Sequence, residues 1–195
     1  MVVNLSKGAN VSLAKVAPGM SRAVVGLGWD IRTTDGAPFD LDASALVLGA
    51  DGKVLSDAHF VFYNNLRDPS GCVVHAGDNR TGAGDGDDEQ LNVDLGGLSP
   101  DAARIVFVAS IESADERGQT FGQVSGAYIR VVDGDDPANG DSSVRFDLGE
   151  DAAMETALVF GELYRHESGW KFRAIGQGYT TGLAGVVTDF GIGVG

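Results

Sequence analysis

The chain reads as an all-β protein: a two-sheet antiparallel β-sandwich with a short helical or irregular C-terminal segment. Three observations predict this. Apolar residues alternate or run in short blocks of strand length, and the blocks recur at the spacing of a sandwich. Glycine supplies 29 of 195 residues, about twice average usage, yet it falls singly at block ends instead of in a linker tract.

In chain order the predicted strands begin with A-V-V-G-L-G-W (23–29), A-L-V-L (45–48) and F-V-F-Y (60–63). R-I-V-F-V-A-S-I (104–111), A-Y-I-R-V-V (127–132) and V-R-F-D-L (144–148) follow, and A-L-V-F-G-E-L-Y (157–164) and W-K-F-R-A-I (170–175) complete the set. Asp51-Gly52 lies between apolar runs, and Glu167-Ser168-Gly169 separates the last two blocks; both are hairpin signals that make neighbours antiparallel. The tail T-T-G-L-A-G-V-V-T-D-F-G-I-G-V-G has room for one short helix.

With 195 residues, 43% of them hydrophobic, and no Pro/Ser-rich linker, the chain is read as one domain spanning 1–195. The formal net charge of −14 argues against nucleic-acid or anionic-membrane partners, which need clustered Lys and Arg, and favours cations. The start M-V-V-N-L-S-K-G lacks the uninterrupted apolar stretch of a signal peptide, and no run reaches membrane-spanning length, so a cytoplasmic address is expected. Cys72, beside two valines, is expected to be a buried, inert strand residue. His59, His75 and His166 are spread apart and take ordinary polar or core roles, and Trp29 and Trp170 belong to the core.

The stretch G-D-N-R-T-G-A-G-D-G-D-D-E-Q (77–90) does not fit a plain turn, because Asp78, Asp85, Asp87, Asp88 and Glu89 crowd together with only Arg80 to offset them. The glycine spacing misses the dinucleotide fingerprint, and the carboxylates would repel a pyrophosphate. No register satisfies an EF-hand loop, and zinc would want Cys or His. Calcium takes six to eight oxygens, and glycines let a loop turn its carbonyls inward. Asp78, Asn79, Asp85, Asp87, Asp88 and Glu89 offer enough oxygens for one calcium ion and, in our reading, for two. Asp40 and Asp42 in F-D-L-D-A-S share one strand face opposite Phe39 and Leu41, and Asp30 ends G-L-G-W-D; these could close the site from a neighbouring loop. The D-G-D-D at 133–136 is read as a solvated turn.

The acidic phrase, together with V-G-L-G-W-D, F-D-L-D-A-S, F-V-F-Y-N-N, F-G-Q-V and W-K-F-R-A-I-G-Q-G-Y, resembles the TerD family of bacterial tellurite-resistance and stress-response proteins over nearly the whole chain. The resemblance implies a calcium-binding β-sandwich in the cytosol. It also implies partners among other tellurium-resistance proteins, including an assembly at the inner face of the membrane. It makes Asp78, Asn79, Asp87, Asp88 and Glu89 the ligands, with Asp30 and Asp42 in support. Ala83 stands where many relatives carry Glu, so no ligand is expected there.

The function expected is a non-enzymatic, calcium-dependent interaction or sensor module. The alternatives are a carboxylate-based hydrolase, for which the sequence shows neither a nucleophile elbow nor a pocket around the acidic loop, and a calcium-mediated membrane-docking module, for which only Arg80 and His75 stand beside the loop.

Overall fold

The computed structural model describes residues 2–30, 36–77, 86–136, 143–149 and 154–193. Within them the strands are β1 (Val2–Asn4), β2 (Asn10–Ser12), β3 (Arg22–Gly28), β4 (Leu41–Leu48), β5 (Phe60–Val61) and β6 (Val73–His75). They continue as β7 (Glu89–Asp94), β8 (Arg104–Ile111), β9 (Tyr128–Asp133), β10 (Ser143–Asp147), β11 (Ala157–His166) and β12 (Gly169–Tyr179). Short helices α1 (Leu13–Val16) and α2 (Ala114–Arg117) interrupt them, and α3 (Gly182–Asp189) forms within the tail.

Two six-stranded sheets result. Sheet A has the order β1-β10-β9-β3-β7-β6 and sheet B the order β2-β12-β11-β8-β4-β5. Every strand pair is antiparallel except the edge pair β1 with β10, which is parallel. That departs from the all-antiparallel expectation. V-V-N is too short to carry a period, so only its docking against β10 reveals its direction.

Strand alternation builds the core. Val25 and Leu27 of β3, Leu91 and Val93 of β7 and Ile129 and Val131 of β9 meet Ala43, Ala45, Phe107 and Leu158 of sheet B in one buried cluster. Phe146 and Phe160 join the sheets edge to face, with ring centroids 6.1 Å apart. The outer face of sheet B carries a second cluster, in which Leu46, Leu48, Val106, Val108, Ala157 and Val159 are covered by Val186 and Val187 of α3. In β11 the register shifts between Val159 and Gly161. This bulge reverses parity, so Leu163 enters the core and Glu162 is turned to the outer face.

The hairpin at 167–168 joins β11 to β12 as expected, and Leu48 bridges to Val54 around Asp51-Gly52. Cys72 is buried and free, and Trp29 is buried. No helix among the described residues is long and apolar enough to cross a membrane.

Candidate functional site

The acidic segment enters the fold between β6 and β7, at one end of the sandwich. Asp78, Asn79 and Asp85 lie outside the described residues. Asp87, Asp88 and Glu89 are described, and they point in three different directions; only Glu89 lies within β7. Glu89 opens β7 instead of belonging to the loop, and its side chain points between the sheets with Leu91 and Val93. There it meets His75, Nε2 to Oε2 3.1 Å, and accepts the Ala43 N–H of sheet B at 3.3 Å. His75 Nε2 also faces the Ala43 carbonyl at 3.1 Å, and Gly77 donates its N–H to Nδ1 at 3.2 Å. Accepting at Nδ1 selects the ring tautomer protonated at Nε2 whenever the imidazole is neutral. Burial opposes protonation of this ring, but the hydrogen bond and charge of Glu89 outweigh it, so the His75 pKa lies above its ordinary value.

Asp87 lies on the opposite side, on the outer face of sheet A. Its Oδ1 accepts from Arg130 Nε at 2.6 Å and from the Tyr128 hydroxyl at 3.1 Å, and Oδ2 accepts from Gln90 at 3.3 Å. The glycines of V-G-L-G-W explain how this carboxylate fits. Gly26 stands opposite both Gln90 and Arg130, and a Cβ there would lie 2.0 Å from Asp87 Oδ2. Gly28 stands opposite Tyr128, and a Cβ there would meet the tyrosine ring at 2.5 Å. Glycine inside a strand marks a close approach by something else, and here it is the foot of the acidic loop. Burial, followed by the charge of Asp87, pushes the Tyr128 hydroxyl up to about 12. Arg145 stacks over the Tyr128 ring at 3.8 Å and pairs with Asp147.

Asp88 takes the third direction. Its N–H is donated to the Leu27 carbonyl at 2.8 Å, and its Oδ2 accepts the Trp29 N–H at 3.0 Å, so it caps the end of β3. Burial and the neighbouring charges of Asp87 and Glu89 raise its pKa against the pull of the Trp29 hydrogen bond. Asp30 follows Trp29 at the same corner; it is exposed, and its carboxylate lies over Gly126, where a Cβ would come within 2.6 Å. Asp42 sits in β4 opposite Ser110, close enough for its charge to act on His75 and Tyr63. Asp40 is buried just before β4, and its carbonyl accepts the Glu112 N–H at 2.8 Å. In the 133–136 turn, Asp135 is tied back to Ser21 and Arg22, the latter at 2.7 Å, and its pKa is held far below the ordinary carboxylate range by the Arg22 hydrogen bond first and the Ser21 contacts next.

No group of three or more His, Cys, Asp and Glu among the described residues surrounds a point suited to a metal ion. Asp87 and Glu89, as ligands, would have to share their carboxylates with Arg130 and His75. The charge of Asp88 is opposed by burial and by its two like neighbours. Sequence reasoning missed Arg130 and Tyr128 as parts of this region, and it set His75 beside the loop without its pairing to Glu89. The available signal was the pair of glycines inside β3, together with Tyr128 and Arg130 at the i, i+2 spacing that puts both on one strand face.

The TerD domain profile matches residues 1–190. Tellurium resistance protein TerD from Alcaligenes sp is 58% identical over 192 residues, covering 98% of each chain, and its counterpart from Serratia marcescens is 57% identical over the same share. General stress protein 16U from Bacillus subtilis is 49% identical over 196 residues and is covered completely. Among solved structures, a homologue of telluride resistance protein (TerD) from Streptomyces coelicolor superposes with a TM-score of 0.68 at 28% identity, over 89% of this chain and 99% of that one. With a full-length match to the domain and relatives at this identity, the chain belongs to the TerD domain family of tellurium-resistance and stress-response proteins.

Proposed function

We propose that this protein is a calcium-binding module of the stress-response type, acting as a calcium-dependent interaction or sensor protein and not as an enzyme. The observation that carries the reading is the clamping of the acidic segment. Asp87 is anchored to Arg130 outside sheet A, Glu89 is anchored to His75 between the sheets, and Asp88 remains at the strand corner with its charge opposed by both neighbours. With Asp87 and Glu89 so held, Asp88 stands at a fixed place at the foot of the segment, on the Leu27 carbonyl and the Trp29 N–H. Asp78, Asn79, Asp85 and Asp88, with Asp30 beside Trp29, would hold the calcium. Asp87, Glu89 and Asp42 would hold the segment in place or lend an oxygen. Bound calcium would supply positive charge through which the site meets an anionic or oxygen-rich partner surface.

Partners among other tellurium-resistance proteins, at the inner membrane face of a bacterial cell, belong to the same reading, as does a cytoplasmic location. The relatives' names speak of tellurium resistance and general stress, which supports the tellurium-resistance and stress setting alone. Calorimetric titration of metal-stripped protein with calcium and then with magnesium tests the reading. Saturable calcium binding of one or two ions, tighter than magnesium and weakened severalfold or more in Asp78→Ala and Asp88→Ala, is the expected result. No heat from calcium, or equal affinity for both ions, overturns it.

A further inference from the structure

Helix α3 covers part of the outer face of sheet B. It sits over Leu46, Leu48, Val106 and Val108, and beyond it the surface falls into an open groove of about 450 Å³. That volume lies within the range of about 300–1,000 Å³ typical of small-molecule sites. Its apolar lining is Ile175 and Phe190, both partly exposed, backed by the buried Val106 and Val159. The rim is cationic, with Arg104, Arg173 and Lys7 lining the same groove. In a chain of net charge −14 with 14 Lys and Arg in all, three cations around one apolar floor are a local reversal of sign.

The two arginines are already positioned. The β11 bulge turns Glu162 to this face, where its almost fully buried carboxylate lies 3.3 Å from Arg173 and 3.8 Å from Arg104. Register sets Arg173 directly across from Glu162, and the Arg173 guanidinium also stacks on the Tyr164 ring at 4.8 Å. Both arginines keep over two-fifths of their side-chain surface exposed, 48% for Arg104 and 42% for Arg173, so donors remain available beyond the pair. One carboxylate set against three cations leaves an uncompensated positive charge beside apolar surface. Arginine's planar fork suits carboxylate, sulfonate and phosphate groups, and its lost freedom has already been spent on Glu162 and Tyr164.

We propose that this groove binds a small organic anion with an apolar body, its acidic group on Arg104 and Arg173 and its body along Ile175 and Phe190. Glu162 then sets the affinity in the opposite sense: it aligns the arginines but competes with the ligand for them. The site is separate from the acidic segment and needs no calcium.

The test uses the full chain in calcium-free buffer with anilinonaphthalene sulfonate as the probe, read by its fluorescence and with a thermal melt of every variant alongside. Expected is saturable binding to the folded protein that weakens with added salt and is competed by octanoate but not by inorganic phosphate at equal ionic strength. Arg104→Gln and Arg173→Gln should each weaken binding by about threefold to tenfold, the range for one partly exposed charge-assisted contact. Glu162→Gln should tighten it, and Arg67→Gln, on the edge of sheet A, should leave it unchanged. The proposal is overturned if both groove arginine variants bind as the parent does, if a folded Glu162→Gln binds more weakly, or if phosphate competes as well as octanoate. Competition by a glutamate-rich peptide at lower concentration than octanoate would also overturn it, in favour of a protein partner.

Discussion

His75 and Glu89 stand 3.1 Å apart inside the sandwich, Nε2 to Oε2, with side chains 1% and 0% exposed. They come from adjacent strands of sheet A and both reach the Ala43 backbone of sheet B, so one polar pair ties the two sheets together at the end where the acidic segment begins. Removing one partner leaves the other buried without its main neighbour. His75→Ala should therefore destabilise the fold by about 3 kcal/mol, while replacing both residues by leucine should cost less than the single change. Denaturant unfolding of the three variants checks the order.

The Asp87 anchor depends on the absence of a side chain at Gly26. A methyl group at that position would collide with the carboxylate before any backbone atom, so Asp87 has to leave Arg130. Gly26→Ala is expected to cost about 1–3 kcal/mol, as overpacking does. The diagnostic is coupling: in an Asp87→Ala background the same substitution should cost much less, because the group it displaces is gone. Equal costs in both backgrounds would refute the anchoring role.

A carboxylate on the β6 side gives the fold an acid limit. Buried Asp68 closes the turn before β6, accepting the Val73 N–H at 2.8 Å and the Ser70 N–H at 3.1 Å. Burial pushes its pKa up, but the Ser70 hydroxyl and these backbone donors together hold it below its ordinary value. A lowered folded pKa means the stabilisation is complete above the unfolded value of about 3.9 and is lost as pH falls through the folded one. Asp68→Asn should thus be less stable than the parent at neutral pH by about 1–2 kcal/mol, with the gap closing below about pH 4. Thermal melts across the acid range measure it.

Calcium, if it binds the folded state alone, stabilises it by mass action, about 2.7 kcal/mol when the free ion is a hundred times Kd. Metal-stripped protein should melt several degrees higher in millimolar calcium than without it, and magnesium should do less. Asp78→Asn keeps an oxygen but loses a charge, so it should show a smaller gain than the parent. An unchanged melting temperature in calcium would count against the proposed function and leave the groove on sheet B untouched, since that site is tested without calcium.

From sequence alone, the β-sandwich, the eight principal strands, the closing hairpin and the short C-terminal helix were legible, because strand alternation and turn residues are local properties. The family was legible in the acidic phrase and its companion motifs. Strands β1, β2, β6 and β7 were not, since three of them span only three residues and β7 opens with Glu89, a charge that reads as loop until a buried histidine is found beside it. Which way each carboxylate of D-D-E points could be decided only by the tertiary structure. Alternation would put Asp87 on the same face as Glu89, but β7 begins only at Glu89, so the two residues before it are placed by partners from elsewhere in the chain: Arg130 for Asp87 and the Trp29 amide for Asp88, as His75 is for Glu89. The gathering of Arg104, Arg173 and Lys7 into one groove was equally hidden, because scattered cations become a patch only when strand register sets Arg104 and Arg173 on one face and the β11 bulge turns Glu162 between them.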